Sequence, residues 1–108
     1  VHRDLKLENY MLLGPPGMRT EHAIKLVDFG TAFFLRSATE RAPGIVGTWS
    51  YNSPEVHDRK GARSLADCWS LGVCLFAMLT GEHPFSSLQM AEGRTRRTMR
   101  SDVANKIM

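Results

Sequence analysis

The segment from Ser64 to Thr80 limits what this chain can fold into more than any other. Trp69, Leu71, Val73, Leu75, Phe76 and Met78 leave it no wide polar face. Ser64 stands where a helix N-cap belongs, and Asp67 follows three residues later as a weaker form of the capping box. Gly81 occupies the position of a helix-terminating glycine. The pattern predicts a helix over 64–80. A helix that is apolar nearly all round belongs at the centre of a core. A chain of 108 residues seldom needs such a helix. We therefore expect these residues to be part of a larger protein, and a first residue of Val1 rather than Met agrees. The longest apolar run, Leu71 to Leu79, is far shorter than the roughly 20 residues that a membrane crossing takes. No membrane span is expected.

The rest of the chain is read around that helix. His2 to Asn9 is polar and reads as a loop. Tyr10 to Leu13 and Ala23 to Val27 are short apolar runs on either side of a break that begins Gly14-Pro15-Pro16-Gly17. They predict an antiparallel hairpin with a long connection over roughly 14–22. From Asp28 to about Glu55 no period is sustained, and Pro43, Gly44, Gly47 and Pro54 punctuate the stretch. Unpatterned segments of this length inside compact domains are usually functional. A weakly patterned helix is expected over about 88–99.

Charge and cysteine usage exclude some function classes. Hydrophobic residues make up 43% and charged residues 23% of the chain, which excludes a disordered or low-complexity segment. The net charge of +3 owes part of its excess to Arg94, Arg96, Arg97 and Arg100. No aromatic side chain interleaves with them, so they form no stacking platform for single strands, and a solvated polar face is the favoured reading over a nucleic-acid surface. Cys68 and Cys74 lack CxxC spacing and read as buried free thiols, neither metal ligands nor a disulfide framework. Reducing, intracellular surroundings follow, with the cytoplasm the expected compartment.

Four stretches occur in a telling order: His2-Arg3-Asp4-Leu5-Lys6-Leu7-Glu8-Asn9, then Asp28-Phe29-Gly30, then Gly47-Thr48-Trp49-Ser50-Tyr51-Asn52-Ser53-Pro54-Glu55, then Asp67-Cys68-Trp69-Ser70-Leu71-Gly72. Each alone is a weak to moderate signal. Together, with a strand before Asp28, they resemble the catalytic loop, metal-binding turn, activation-segment anchor and central helix of eukaryotic protein kinases. The resemblance covers about residues 1–85. It implies an α+β fold: the mainly helical C-terminal lobe of a protein kinase, with a short β-hairpin. The domain is incomplete, running over 1–108 from the catalytic loop to the helix after the central one. The Gly-rich phosphate loop, the ATP-contacting lysine and its glutamate partner lie upstream in the family and are not in this chain. The 108 residues alone are therefore expected to be inactive and poorly stable.

The resemblance also implies a chemistry. Phosphoryl transfer from ATP needs in-line positioning and compensation of negative charge rather than covalent help. Asp4 would orient the attacking hydroxyl and accept its proton. Lys6 would approach the transferred phosphate, which tilts the substrate to Ser/Thr hydroxyls of proteins. Asn9 and Asp28 would hold Mg2+, a cation that favours few carboxylates plus substrate phosphates. Thr48 is similar to the threonine that contacts both the catalytic Asp and Lys. Phe29 is similar to the aromatic that packs beneath the active site, ahead of Gly30 in the turn. Asp67 is either a helix cap or an acceptor for backbone amides near His2 and Arg3. Glu55 ends a Ser-Pro-Glu where the family more often has Ala-Pro-Glu, and in the family it pairs with an arginine well downstream.

Arg3 resembles the arginine that receives a phosphorylated activation-loop residue. The usual acceptor position falls in Ala42-Pro43-Gly44-Ile45-Val46, which has no hydroxyl; Ser37 and Thr39 are the nearest candidates. Loop phosphorylation is therefore not expected to be the main switch, which is similar to the calcium/calmodulin-regulated subclass and compatible with a regulatory domain elsewhere in a longer chain. Three other readings compete: a pseudokinase acting as a binding or scaffolding module, a helical interaction domain with a basic tail, and a small-molecule or lipid kinase. Retention of Asp4, Lys6, Asn9 and Asp28 speaks against the first. The ordered motifs speak against the second, and the stretch from Gly47 to Glu55 against the third.

Overall fold

The computed structural model describes residues 1–14 and 23–85. The remainder of the interstrand connection, the helix expected over 88–99 and the basic cluster of Arg94, Arg96, Arg97 and Arg100 lie outside the described residues. Two strands, β1 (Tyr10–Leu13) and β2 (Ala23–Leu26), pair antiparallel with Tyr10 opposite Leu26 and Leu13 opposite Ala23. The pairing carries on one step, because the Val27 N–H donates to the Asn9 carbonyl at 2.9 Å. A single turn of 3₁₀ helix, Leu7–Asn9, leads into β1, and another, Trp49–Tyr51, lies late in the long unpatterned segment. Helices α1 (Pro54–His57) and α2 (Ser64–Thr80) follow. This is the α+β arrangement expected from the sequence.

Helix α2 has the expected bounds. It ends at Gly81, whose left-handed backbone (φ 73°, ψ 4°) lets its N–H donate to the Ala77 carbonyl at 2.9 Å. Its start differs from expectation. Ser64 is the first helical residue, and Arg63 holds the N-cap position without a side-chain cap bond. Asp67 is committed elsewhere, as described below.

Only one stripe of α2 is buried: Ala66, Ser70, Val73 and Cys74, at the spacing of a single helix face. Two small clusters share it. Ala66 packs with Ala42, Val56 and Ala62, and Phe33, Leu35 and Ile45 lean on that group. Val73 and Cys74 pack with Tyr51, flanked by Tyr10, Trp69 and Phe85. The sequence pattern implied burial all round, whereas Leu71, Leu75, Phe76, Met78 and Leu79 stand exposed. A helix without a polar face carries no signal for which of its sides meets the core. Cys68 is exposed rather than buried, while Cys74 is buried as expected.

The long segment after β2 is tied down at its middle. Ala42 is fully buried and exchanges both backbone hydrogen bonds with Ala62, at 2.8 and 3.0 Å, in an isolated antiparallel bridge. The Arg41 guanidinium donates to the Lys60 carbonyl at 3.2 Å beside that bridge. Upstream, the Ser37 hydroxyl accepts from the Glu40 N–H and meets the Thr39 hydroxyl, in an exposed local turn.

Candidate active site

The site begins with Asp67 in the first turn of α2. Its Oδ2 accepts the His2 N–H at 2.7 Å and its Oδ1 the Arg3 N–H at 3.0 Å. One carboxylate thereby fixes two consecutive amides of the loop that carries Asp4. Arg3 has a left-handed backbone (φ 70°), as does Asp28 (φ 60°). For a residue with a Cβ this costs about 1–2 kcal/mol. Such strain persists only where surrounding contacts enforce it, and it gathers at functional sites.

His2 couples this loop to the end of β2. Its Nδ1 accepts the Asp4 N–H at 3.3 Å, so its Nε2 carries the proton and donates to the Val27 carbonyl at 3.1 Å. The ring is buried, and the Phe29 ring stands edge-on to it at 4.9 Å between centroids. Phe29 is itself 62% exposed, so it flanks the site rather than filling a core beneath it. The Arg3 guanidinium lies over the Phe33 ring, 5.5 Å from its centroid, and donates to the Thr31 and Pro43 carbonyls. The Thr31 hydroxyl returns a bond to the His2 carbonyl at 3.0 Å.

Asp4, Lys6 and Thr48 form a closed triangle. The Thr48 hydroxyl donates to Asp4 Oδ1 at 2.7 Å, and the Thr48 N–H donates to the same oxygen at 2.8 Å. Lys6 Nζ donates to Thr48 Oγ1 at 3.0 Å and pairs with Asp4 Oδ2 at 3.3 Å. Partial burial works to raise the Asp4 carboxyl. Hydrogen bonds from the Thr48 hydroxyl and Lys6, the Lys6 charge and the Thr48 amide outweigh it and hold the carboxyl below its ordinary value. Asp4 is therefore ionised at neutral pH.

Asn9 adjoins this triangle. Its Nδ2 donates to the Asp4 carbonyl at 2.8 Å and lies 3.5 Å from Asp4 Oδ2. With its nitrogen committed, the amide oxygen accepts no hydrogen bond among the described residues. Asp28 follows Val27 directly, and so emerges beside Asn9. Its Oδ1 accepts the Gly30 N–H at 3.2 Å, its Oδ2 has no protein donor among the described residues, and the side chain is exposed. A Cβ at Gly30 would crowd that carboxylate at 3.1 Å. Two hard oxygens, Asn9 Oδ1 and Asp28 Oδ2, are thus left without protein donors in neighbouring turns. That donor chemistry fits a magnesium ion completed by phosphates and water. No group of three or more His, Cys, Asp or Glu gathers among the described residues, so a cage built by protein alone is not formed there.

Glu55 takes no part in these contacts. It sits half-buried in the first turn of α1 and makes no ion pair among the described residues. Three residues that sequence reasoning passed over do take part. Thr31 is one. Ser70 is another: one turn beyond Asp67 on α2, its hydroxyl donates to the Tyr51 carbonyl at 2.8 Å. The third is Asn52, whose Nδ2 donates to the Val46 carbonyl at 2.9 Å. Thr31 and Asn52 lie in an unpatterned stretch that gives no periodic signal, and Ser70 is a lone small polar residue within the apolar pattern of α2, so none of the three announces its partner in the sequence.

Comparison with known proteins gives the family. The family model described as the protein kinase domain matches residues 1–107. Ribosomal protein S6 kinase alpha-2 of Mus musculus is 40% identical over 92 residues, covering 85% of this chain and 12% of that protein. A putative ribosomal protein S6 kinase alpha-2 of Caenorhabditis elegans is 40% identical over 111 residues, covering 100% of this chain and 13% of its own length. Serine/threonine-protein kinase A of a Synechocystis strain is 40% identical over 85 residues, covering 78% of this chain and 16% of that protein. The chain thus spans about an eighth of the length of most of these relatives. With the family model matching almost end to end, the chain belongs to the protein kinase domain family.

Proposed function

We propose that this chain supplies the catalytic and activation-segment part of an ATP-dependent protein serine/threonine kinase, with residues 1–108 forming part of its C-terminal lobe. The observation that carries the reading is the Thr48 hydroxyl, seated between Lys6 Nζ and Asp4 Oδ1 at 3.0 and 2.7 Å. A base, a cation and a hydrogen-bonding hydroxyl are held within one contact shell. In this reading the substrate Ser or Thr hydroxyl gives its proton to the Asp4 carboxylate. Its oxygen bonds to the γ-phosphorus of ATP, and the bond to the β–γ bridging oxygen breaks to leave ADP. Lys6 offsets negative charge on the transferred group, and Thr48 keeps the Asp4 carboxylate and the Lys6 ammonium in register. Asn9 Oδ1 and Asp28 Oδ2 would hold Mg2+, which when bound neutralises phosphate charge. No described helix is long and apolar enough to cross a membrane; a cytoplasmic location is part of the proposal.

The test is phosphate transfer to a generic Ser/Thr peptide by the full-length protein that contains this chain. A positioned general base contributes roughly 10²–10⁴-fold. Asp4→Asn is expected to lower kcat within that range, and Asp28→Ala to abolish the dependence of nucleotide binding on Mg2+. Wild-type protein that binds nucleotide but transfers no phosphate would leave the pseudokinase reading in its place.

A further inference from the structure

Thr48 is presented to Asp4 by a turn whose shape the backbone alone does not secure. Gly47, just before it, has a left-handed backbone (φ +84°) and lies between two neighbours. An added Cβ would collide with the Arg3 carbonyl oxygen on one side and come within 3.1 Å of Asn52 Oδ1 on the other. Asn52 is 8% exposed and follows the 3₁₀ turn Trp49–Tyr51, with its own N–H on the Trp49 carbonyl at 3.2 Å. From there its side chain reaches back over Gly47 to the Val46 carbonyl at 2.9 Å. The Thr48 carbonyl is taken by the Tyr51 N–H at 3.0 Å, inside the same closed turn. The Ser70 hydroxyl fixes the adjoining Tyr51 carbonyl from α2.

We propose that Asn52 is a positioning residue for phosphoryl transfer: by donating to the Val46 carbonyl and covering Gly47, its amide holds Thr48 in contact with Asp4 and Lys6. The inference rests on the kinase reading given above. Asn52 touches neither Asp4 nor Lys6 and acts through the Val46–Thr48 backbone. Without the amide donor the Val46 carbonyl loses its side-chain partner, Gly47 is free to leave the Arg3 carbonyl, and Thr48 withdraws both bonds from one carboxylate oxygen. Nucleotide and metal would still meet Lys6, Asn9 and Asp28. The loss falls on the chemical step, not on ATP binding.

The experiment compares wild type, Asn52→Asp, Asn52→Leu, Thr48→Ala and the Asn52→Asp/Thr48→Ala double variant in the full-length protein. It reads kcat, KM for ATP, and the hydrogen-exchange protection of the Thr48 amide. Asp keeps the size of Asn and removes the donor, so it serves where Leu fails to fold. Asn52→Asp is expected to lower kcat about ten-fold, as suits the loss of one buried hydrogen bond, with KM for ATP within about two-fold. Thr48 amide protection is expected to fall by about the same factor. In the Thr48→Ala background the substitution should change kcat less than in wild type, because the hydroxyl that joins Asp4 and Lys6 is already gone and only the residue-48 amide bond to Asp4 is left to lose. Additive effects of the two substitutions, or unchanged Thr48 protection in Asn52→Asp, would overturn the proposal. If wild type transfers no phosphate, the kinase reading falls by itself, while Thr48 protection still reports whether Asn52 holds the turn.

Discussion

Replacing Asp67 with Asn separates two roles that one carboxylate can play at the start of a helix. If Asp67 served α2 alone, through its dipole or as a cap, the change would be small. A charge near a helix N-terminus is worth about 0.3–1 kcal/mol, and Asn caps as well as Asp. In the structure the carboxylate serves the loop: both oxygens accept backbone amides, from His2 at 2.7 Å and Arg3 at 3.0 Å. Asn has one acceptor oxygen and presents an NH2 group where the second amide needs an acceptor. One hydrogen bond to a charged group, about 1.5–3 kcal/mol, is lost, and one amide is left facing a donor. Because Asp67 is only half-buried, water recovers part of this, and about 2 kcal/mol is the expected cost. Asp67→Ala removes both acceptors and should cost about 3–4 kcal/mol by the same reckoning. Urea denaturation of wild type and both variants, fitted with a common m-value, measures the difference. Phosphate transfer should fall with stability, since freeing His2 and Arg3 releases Asp4. An Asp67→Asn cost below about 0.5 kcal/mol would refute the reasoning and return Asp67 to a helix-end role.

Three further outcomes are expected. Gly47→Ala forces a Cβ into a left-handed position against the Arg3 carbonyl and should destabilise by about 2–4 kcal/mol; a loss under about 1 kcal/mol in the same denaturation assay would contradict the close approach. Burial lowers the His57 imidazole below its ordinary value, outweighing the Asn52 and Trp49 carbonyls and the Asp58 and Glu55 charges. A depressed imidazole stabilises the fold above the unfolded-state value of about 6.5 and loses that contribution as pH falls toward the folded value, so the stability gap between wild type and His57→Asn should narrow on acidification, and a constant gap would contradict it. Phosphatase treatment of active full-length protein should change its rate by less than about two-fold, since the Arg3 guanidinium already donates to the Thr31 and Pro43 carbonyls; abolished activity, with phosphate mapped to Ser37 or Thr39, would show otherwise.

Much of the frame is legible in the sequence because it rests on local signals. The 64–80 helix is bounded by a terminating glycine, and the two apolar runs flanking a Gly/Pro break become β1 and β2, the second ending at Leu26 rather than Val27. Four motifs in order disclose the family. What stays hidden depends on partners distant in sequence. Ser64 and Asp67 resemble a capping pair, yet the partners of Asp67 lie 65 and 64 residues away and draw it from its own helix. Helix α1 is four residues long, too short to show a period. The bridge between Ala42 and Ala62 joins two small residues that no pattern links. Phe29 and Cys68 have apolar character that favours burial, and the fold leaves both exposed.

Asp67 and Ser70 are three residues apart and therefore project from one side of α2. The first grips the strand of chain leading into Asp4; the second grips the turn beyond Thr48. Both jaws of the candidate site are thus bolted to a single rod, less than one helical turn apart. If that rod tilts or slides against its surroundings, the two jaws travel together and the gap between them is unchanged. A distortion within that one turn, from a lost hydrogen bond or a helix-breaking substitution between residues 67 and 70, would instead move one jaw against the other.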